Sequence, residues 1–187
     1  LRVLLETHGL AADALAVLVA EGAASIPDVI SMDWKLRSDL LDRSPLLQTL
    51  AEPLDSVQEK FLRIAAKSSE VYIKLIVTAE RSLEEVQDAC RRIAQVSKST
   101  PLILQPVTPR GVEDVRPSAP QLLRLLDAAL GILDDVRIIP LDGRPHLPAG
   151  VGLWFGDSRG RWQGDTLVVD TTRFNEQRDM RGASSLR

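Results

Sequence analysis

Glu6, Asp33, Lys35, Lys74 and Gln105 are the side chains in this sequence best suited to hold a small molecule, and each sits in a short apolar segment. The segments are Leu1–Gly9 (LRVLLETHG), Val29–Leu36 (VISMDWKL), Val71–Thr78 (VYIKLIVT) and Leu102–Pro109 (LILQPVTP). In a β-strand, residues two apart share a face. That rule groups Leu4, Glu6 and His8; Ser31, Asp33 and Lys35; Tyr72, Lys74 and Thr78; and Ile103 with Gln105. The alternate faces are apolar, with Val3 and Leu5, Ile30, Met32 and Trp34, and Val71, Ile73, Leu75 and Val77. A carboxylate can hold ribose hydroxyls, Lys35 can meet a carboxylate, and Gln105 can both donate to and accept from a base edge. Pairing among the groups themselves, Asp33 with Lys74 or Glu6 with Lys35, would equally satisfy buried charges. Both readings stand at this level.

Positioning these groups requires strands held in order, and the spacers between them have helical character. Ala11–Ala20 is rich in alanine and leucine, and Glu21-Gly22 can end it. After a connection containing Pro45 and Pro53, the run from Asp55 puts Val57, Phe61, Leu62, Ile64 and Ala65 near one helical face. Ser82 followed by Glu85 has capping-box spacing, with Leu83, Val86, Cys90, Ile93 and Ala94 as the buried stripe behind it. Gly111–Pro117 reads as loop, Ser118 caps a helix over Ala119–Leu133, and Val136–Pro140 is a last short strand. Strands alternating with helices predict an α/β fold with a parallel sheet, either half of a barrel or an open doubly wound sheet.

From residue 141 the character changes. Residues 141–187 are rich in glycine and proline, and Gly160–Asn175 reads as a β-hairpin turning at Gly164-Asp165. Two domains are therefore expected, 1–140 and 141–187. In the tail, Asp157-Ser158-Arg159 and the Trp154/Trp162 pair are candidate binding surfaces; hairpin packing is the simpler role for the tryptophans.

Composition narrows the function classes. Net charge is −3 with both signs interspersed, and aromatics are only 4%, which argues against nucleic acid as a partner. No run of about 18 apolar residues marks a membrane span. The single cysteine, Cys90, excludes an internal disulfide framework and fits a reducing, cytoplasmic setting. His8 and His146 have no metal-ligand spacing, although His8 could act as a general base. There is no Gly-x-Gly-x-x-Gly, P-loop or nucleophile elbow. The chain opens on Leu1 already inside an apolar strand, which reads as a fragment of a longer protein.

The succession LLETHGL, VISMDWKL, EVYIKLIVT, TPLILQPVTP and VRIIP resembles the C-terminal half of 7-carboxy-7-deazaguanine synthase, a radical S-adenosylmethionine enzyme of queuosine and deazapurine biosynthesis. The resemblance covers residues 1–140 and implies the C-terminal part of a partial (β/α) radical S-adenosylmethionine barrel. It implies reductive cleavage of S-adenosylmethionine at a [4Fe-4S] cluster and, with Mg²⁺, ring contraction of a 6-carboxy-tetrahydropterin with loss of ammonia. By the same resemblance Ser31, Met32, Asp33 and Lys35, then Gln105, Pro106, Val107 and Thr108, match segments contacting S-adenosylmethionine. Glu6 and Thr7 match the strand meeting its ribose and methionine end, and Lys74 matches a lysine pointing into the barrel, a candidate for the substrate. The cluster cysteines, the glycine-rich motif and the magnesium ligand of that family belong to its N-terminal half. No catalytic residue is assigned, and the chain alone is expected to be inactive. Residues 141–187 instead resemble a stretch found in uncharacterised bacterial proteins. Two other expectations remain: a non-catalytic module binding a nucleoside-like ligand or a partner protein, and a truncated product whose open sheet edges favour a homodimer.

Overall fold

The computed structural model describes residues 2–39, 52–108, 115–141, 143–151, 156–164 and 166–174. The chain divides into two compact units, Leu1–Ile138 and Ile139–Arg187. Pro45, Pro109, Gly111, Trp154 and Asp165 lie outside the described residues.

The first unit alternates strand and helix: β1 (Leu4–Thr7), α1 (Ala12–Glu21), β2 (Val29–Trp34), α2 (Leu54–Ser68), β3 (Glu70–Val77), α3 (Leu83–Val96), β4 (Leu102–Pro106), α4 (Ala119–Leu130) and β5 (Val136–Ile138). All four strand pairings are parallel, and the order is β1-β2-β3-β4-β5. This order is compatible with a partial β/α fold. A doubly wound sheet reverses its strand order at a switch point. Here each strand is laid beside its predecessor, as in a segment of a β/α barrel.

Alternation builds the core. On β3, Val71, Ile73, Leu75 and Val77 are buried while Tyr72, Lys74 and Ile76 are only half-buried. Ile30, Met32 and Trp34 of β2 and Leu102 and Leu104 of β4 join the same cluster. Leu15, Phe61, Leu62, Val86, Cys90, Ile93, Leu125 and Ala129 enter it from the four helices. The helices therefore cover one face of the sheet, α1 packing on α2, α2 on α3 and α3 on α4. Each fully buried Leu, Ile or Phe contributes roughly 1.5–3 kcal/mol. The apolar faces read from sequence are this core, with two corrections. Val3 is exposed because it precedes β1 at the sheet edge, and Leu83 is exposed because it opens α3.

The helix caps also differ from the sequence reading. Ser82 Oγ accepts from Glu85 N–H (3.1 Å), but the Glu85 carboxylate does not reach back to the cap. It accepts instead from Ser38 N (3.0 Å) and Ser38 Oγ (2.6 Å), 47 residues away. The reciprocal box forms on α4, where Gln121 Oε1 accepts from Ser118 N (2.8 Å). Among the described residues, no helix is long and apolar enough to cross a membrane.

In the second unit, β6 (Asp157–Gln163) and β7 (Thr166–Thr172) pair antiparallel as a hairpin, longer on its first strand than the sequence indicates. Asp157-Ser158-Arg159 is spent on holding this unit together. Asp157 Oδ2 meets His146 Nδ1 (2.9 Å) and accepts from Leu147 N–H (3.0 Å), while Oδ1 meets Arg159 (3.0 Å). Ser158 Oγ bonds Thr171 Oγ1 (2.9 Å), and His146 Nε2 faces Asp170 (3.1 Å). These polar groups have partners within the unit.

Burial pushes the Asp157 carboxyl up, but the Leu147 N–H, His146 and Arg159 outweigh it and hold it below the ordinary 3.8. A carboxyl depressed in the fold stabilises it fully above its unfolded pKa. That contribution is lost as pH falls through the lower, folded value. The Leu147 amide proton is expected to titrate with a midpoint below 3.8 in an NMR pH series. In Asp157→Asn this titration should vanish; its persistence would mean the amide senses another group.

Candidate ligand-binding face of the sheet

The face of the sheet away from the helices carries the polar side chains. Register places Glu6, Ser31 and Tyr72 side by side across β1, β2 and β3. The next row toward the carboxyl ends holds Asp33, Lys74, Ile103 and Arg137 across β2 to β5. Strand alternation brings Glu6, Ser31, Asp33, Lys74 and Gln105 to this one face, with Lys35 following just past β2.

Asp33 is the hub. Its Oδ1 lies 3.1 Å from Lys74 Nζ, and its Oδ2 lies 3.6 Å from both Lys35 Nζ and His8 Nδ1. Lys74 also bonds Glu6. Of the pairings open from sequence, Asp33 with Lys74 forms, whereas Glu6 pairs with Lys74 rather than Lys35. Burial works to lower the Lys74 pKa, but Glu6 and Asp33 outweigh it and raise the ammonium above its ordinary value. Lys74 is thus a permanently charged bridge between two carboxylates. Glu6 keeps 65% of its side chain in solvent, so one end of this bridge is open to an incoming group. Arg137, at the far end of the row, is gripped by Asp135 through two bonds of 2.8 and 2.7 Å.

Ser31 departs from its surroundings. It is only 1% exposed although it lies on the polar face, and its Oγ has no hydrogen-bond partner. An unsatisfied buried hydroxyl costs roughly 1–3 kcal/mol.

The other residues carried over by resemblance fall elsewhere. Met32 is fully buried on the helix side of β2, so only its backbone can meet a ligand on the polar face. Thr7 and Pro106 occupy the alternate positions to Glu6 and Gln105. Thr7 Oγ1 accepts from Gly9 N–H (3.1 Å). Val107 and Thr108 follow the end of β4, where Val107 N–H donates to the Val77 carbonyl (3.0 Å). A contiguous motif crossing a strand end cannot put all its side chains on one face.

Two sets of residues escaped the sequence reading. Gln58 is fully buried on α2. With its amide turned one way, Gln58 Nε2 donates to His8 O (3.3 Å) and Asp33 O (3.4 Å); turned the other way, with shorter bonds, it donates to the Lys35 carbonyl (3.0 Å) and accepts from Lys35 N–H (2.9 Å). Arg92 on α3 gathers Asp88 (2.9 Å), Glu59 (2.8 Å) and Asp55 (3.4 Å), and Arg37 Nε donates to the same Asp55 (2.9 Å). The i, i+4 spacing of Asp88 and Arg92 was the one signal of this network available in the sequence.

The cofactors implied by resemblance can be tested against these residues. An iron–sulfur cluster needs several thiolates. Cys90 is the one cysteine of the chain, buried in the core on α3, and burial pushes its thiol up to about 12. It does not fit. Among the described residues there is no group of three or more His, Cys, Asp or Glu able to hold a metal ion. Carboxylates, ammonium groups and the Ser31 hydroxyl gather on one surface of the sheet. A separate hollow of about 220 Å³, lined by Thr78, Arg81, Gln121 and Arg124, opens at the carboxyl end of β3. It is smaller than the 300–1,000 Å³ usual for such ligands. No known protein family and no curated protein matches this chain.

Proposed function

We propose that the polar face of β1–β4 is the S-adenosylmethionine-binding wall of a radical enzyme barrel resembling 7-carboxy-7-deazaguanine synthase. The pterin substrate, the cluster and the magnesium ion of that chemistry would be served by residues beyond those present in this sequence. Residues 1–187 then bind and orient, and do not catalyse alone. The observation that carries the reading is the buried, partnerless Ser31 Oγ beside Glu6 on a sequentially ordered parallel sheet, one row below Asp33, with Lys35 just past the end of β2. In this reading the charged groups take the ends of the amino-acid moiety, and Ser31 with Glu6 takes hydroxyls of the nucleoside.

Calorimetry on the purified chain, without iron, tests it. S-adenosylmethionine and S-adenosylhomocysteine should each give a saturable heat. Ser31→Ala should weaken binding by about 2–12-fold, the loss of one neutral hydrogen bond. The same change should raise the stability of the free protein, since an orphan hydroxyl is removed. Absence of heat at millimolar ligand would overturn the reading.

The single buried thiol favours a second reading, a non-catalytic module for a nucleoside-like ligand. Adenosine binding as tightly as S-adenosylmethionine would select it, because Asp33 and Lys35 would then contribute nothing.

A further inference from the structure

The geometry points to Gln58 as a positioning residue for the ligand-binding face, acting through the backbone of Lys35; this rests on the reading proposed above. Val29 N–H donates to Val3 O on the β1 side, whereas Asp28 O accepts from Glu70 N–H on the β3 side. In an extended strand the amide and carbonyl of one residue point the same way, alternating along the chain. Val29, Ser31, Asp33 and Lys35 therefore turn their backbone groups toward β1. But β1 ends at Thr7, and the chain turns away at Gly9, whose φ is +69°. Lys35 is left with a donor and an acceptor directed at a strand that is no longer there.

Gln58 fills that place. Its carboxamide has the donor–acceptor pair of a peptide group, and it meets both Lys35 groups at once, at 3.0 and 2.9 Å. Because Gln58 is fully buried among Phe61, Leu62 and the rest of the core, its position is set by the packing of α2. It extends the sheet by one residue without a strand. The consequence reaches the face: Lys35 Nζ stands 3.6 Å from Asp33 Oδ2, and Asp33 in turn orders Lys74. A leucine at position 58 would fill similar space, leave both Lys35 groups unpaired, and free the strand end.

The test compares Gln58→Leu and Gln58→Glu with Leu62→Val, a change on the same helix that loosens the core without touching Lys35. S-adenosylmethionine affinity is read by calorimetry, and exchange of the Lys35 amide by NMR without ligand. Gln58→Leu should bind at least about fivefold more weakly and lose protection at Lys35. Gln58→Glu keeps the acceptor for Lys35 N–H and should recover part of that protection. Leu62→Val should leave both readouts near wild type. Unchanged affinity in Gln58→Leu, retained Lys35 protection, or an equal loss in Leu62→Val would each overturn the inference while the proposed function stands. No binding by the wild-type protein would overturn both.

Discussion

Gly9→Ala is expected to destabilise the unit Leu1–Ile138 by about 2–5 kcal/mol, read as a lower urea midpoint followed by circular dichroism at 222 nm. Two independent effects add. The backbone at Gly9 has φ +69°, a conformation costing a residue with a side chain on the order of 1–2 kcal/mol. A Cβ there would also lie 2.4 Å from Met32 Cε and 3.3 Å from the Phe61 ring. The Met32 end is flexible, but Met32 and Phe61 are both buried in the core, so a shift of either disturbs its packing. Overpacking of this kind costs typically 1–3 kcal/mol. The damage should reach the site, because Gly9 is where the chain leaves the sheet and vacates the place taken by Gln58. A loss below about 0.5 kcal/mol would show that the turn relaxes freely.

Arg92→Met should cost about 2–3 kcal/mol, judged from the strength of hydrogen bonds between charged groups and keeping the stem that packs on α2. Asp88 and then Glu59 hold the Arg92 guanidinium well above its ordinary range, with Asp55 also within reach. Removing the cation leaves Asp55 to Arg37 and leaves Glu59, mostly buried, with Arg63 at 3.8 Å in place of Arg92 at 2.8 Å. The cost is electrostatic, so it should shrink as added salt screens these charges. Parallel urea titrations at low and high salt measure that trend. A salt-independent loss would mean that packing of the side chain, and not its charge, matters.

The sheet itself was legible from periodicity. Val71, Ile73, Leu75 and Val77 announce a strand buried on one side, and α3 has the bounds its apolar stripe marks. The strand order was not legible, because βα alternation is common to singly and doubly wound sheets and only long-range pairing separates them. Glu85 was misjudged for a related reason. Its local partner, the Ser82 backbone, lost to Ser38, a residue brought close only by the fold. Alternation correctly grouped Glu6, Ser31, Asp33, Lys35, Lys74 and Gln105. Thr7, Met32 and Pro106 came from contiguous motifs, which ignore which way a strand turns each side chain. Gln58 left no trace, since its role exists only where a neighbouring strand stops short. Ser31 could be placed on its face but not recognised as buried, because burial depends on Glu6 and Tyr72 lying on either side of it.

The ion pair between Glu6 and Lys74 joins residues 68 positions apart. In a parallel sheet each new strand must close a long crossover before any pairing rewards it, so such contacts form late. A chain emerging during synthesis carries Glu6 without its lysine, and Asp33 with Lys35 alone, until β3 has been made and docked. The polar face is therefore completed only after β3 is in place, and a ligand that required the whole face could capture only finished molecules.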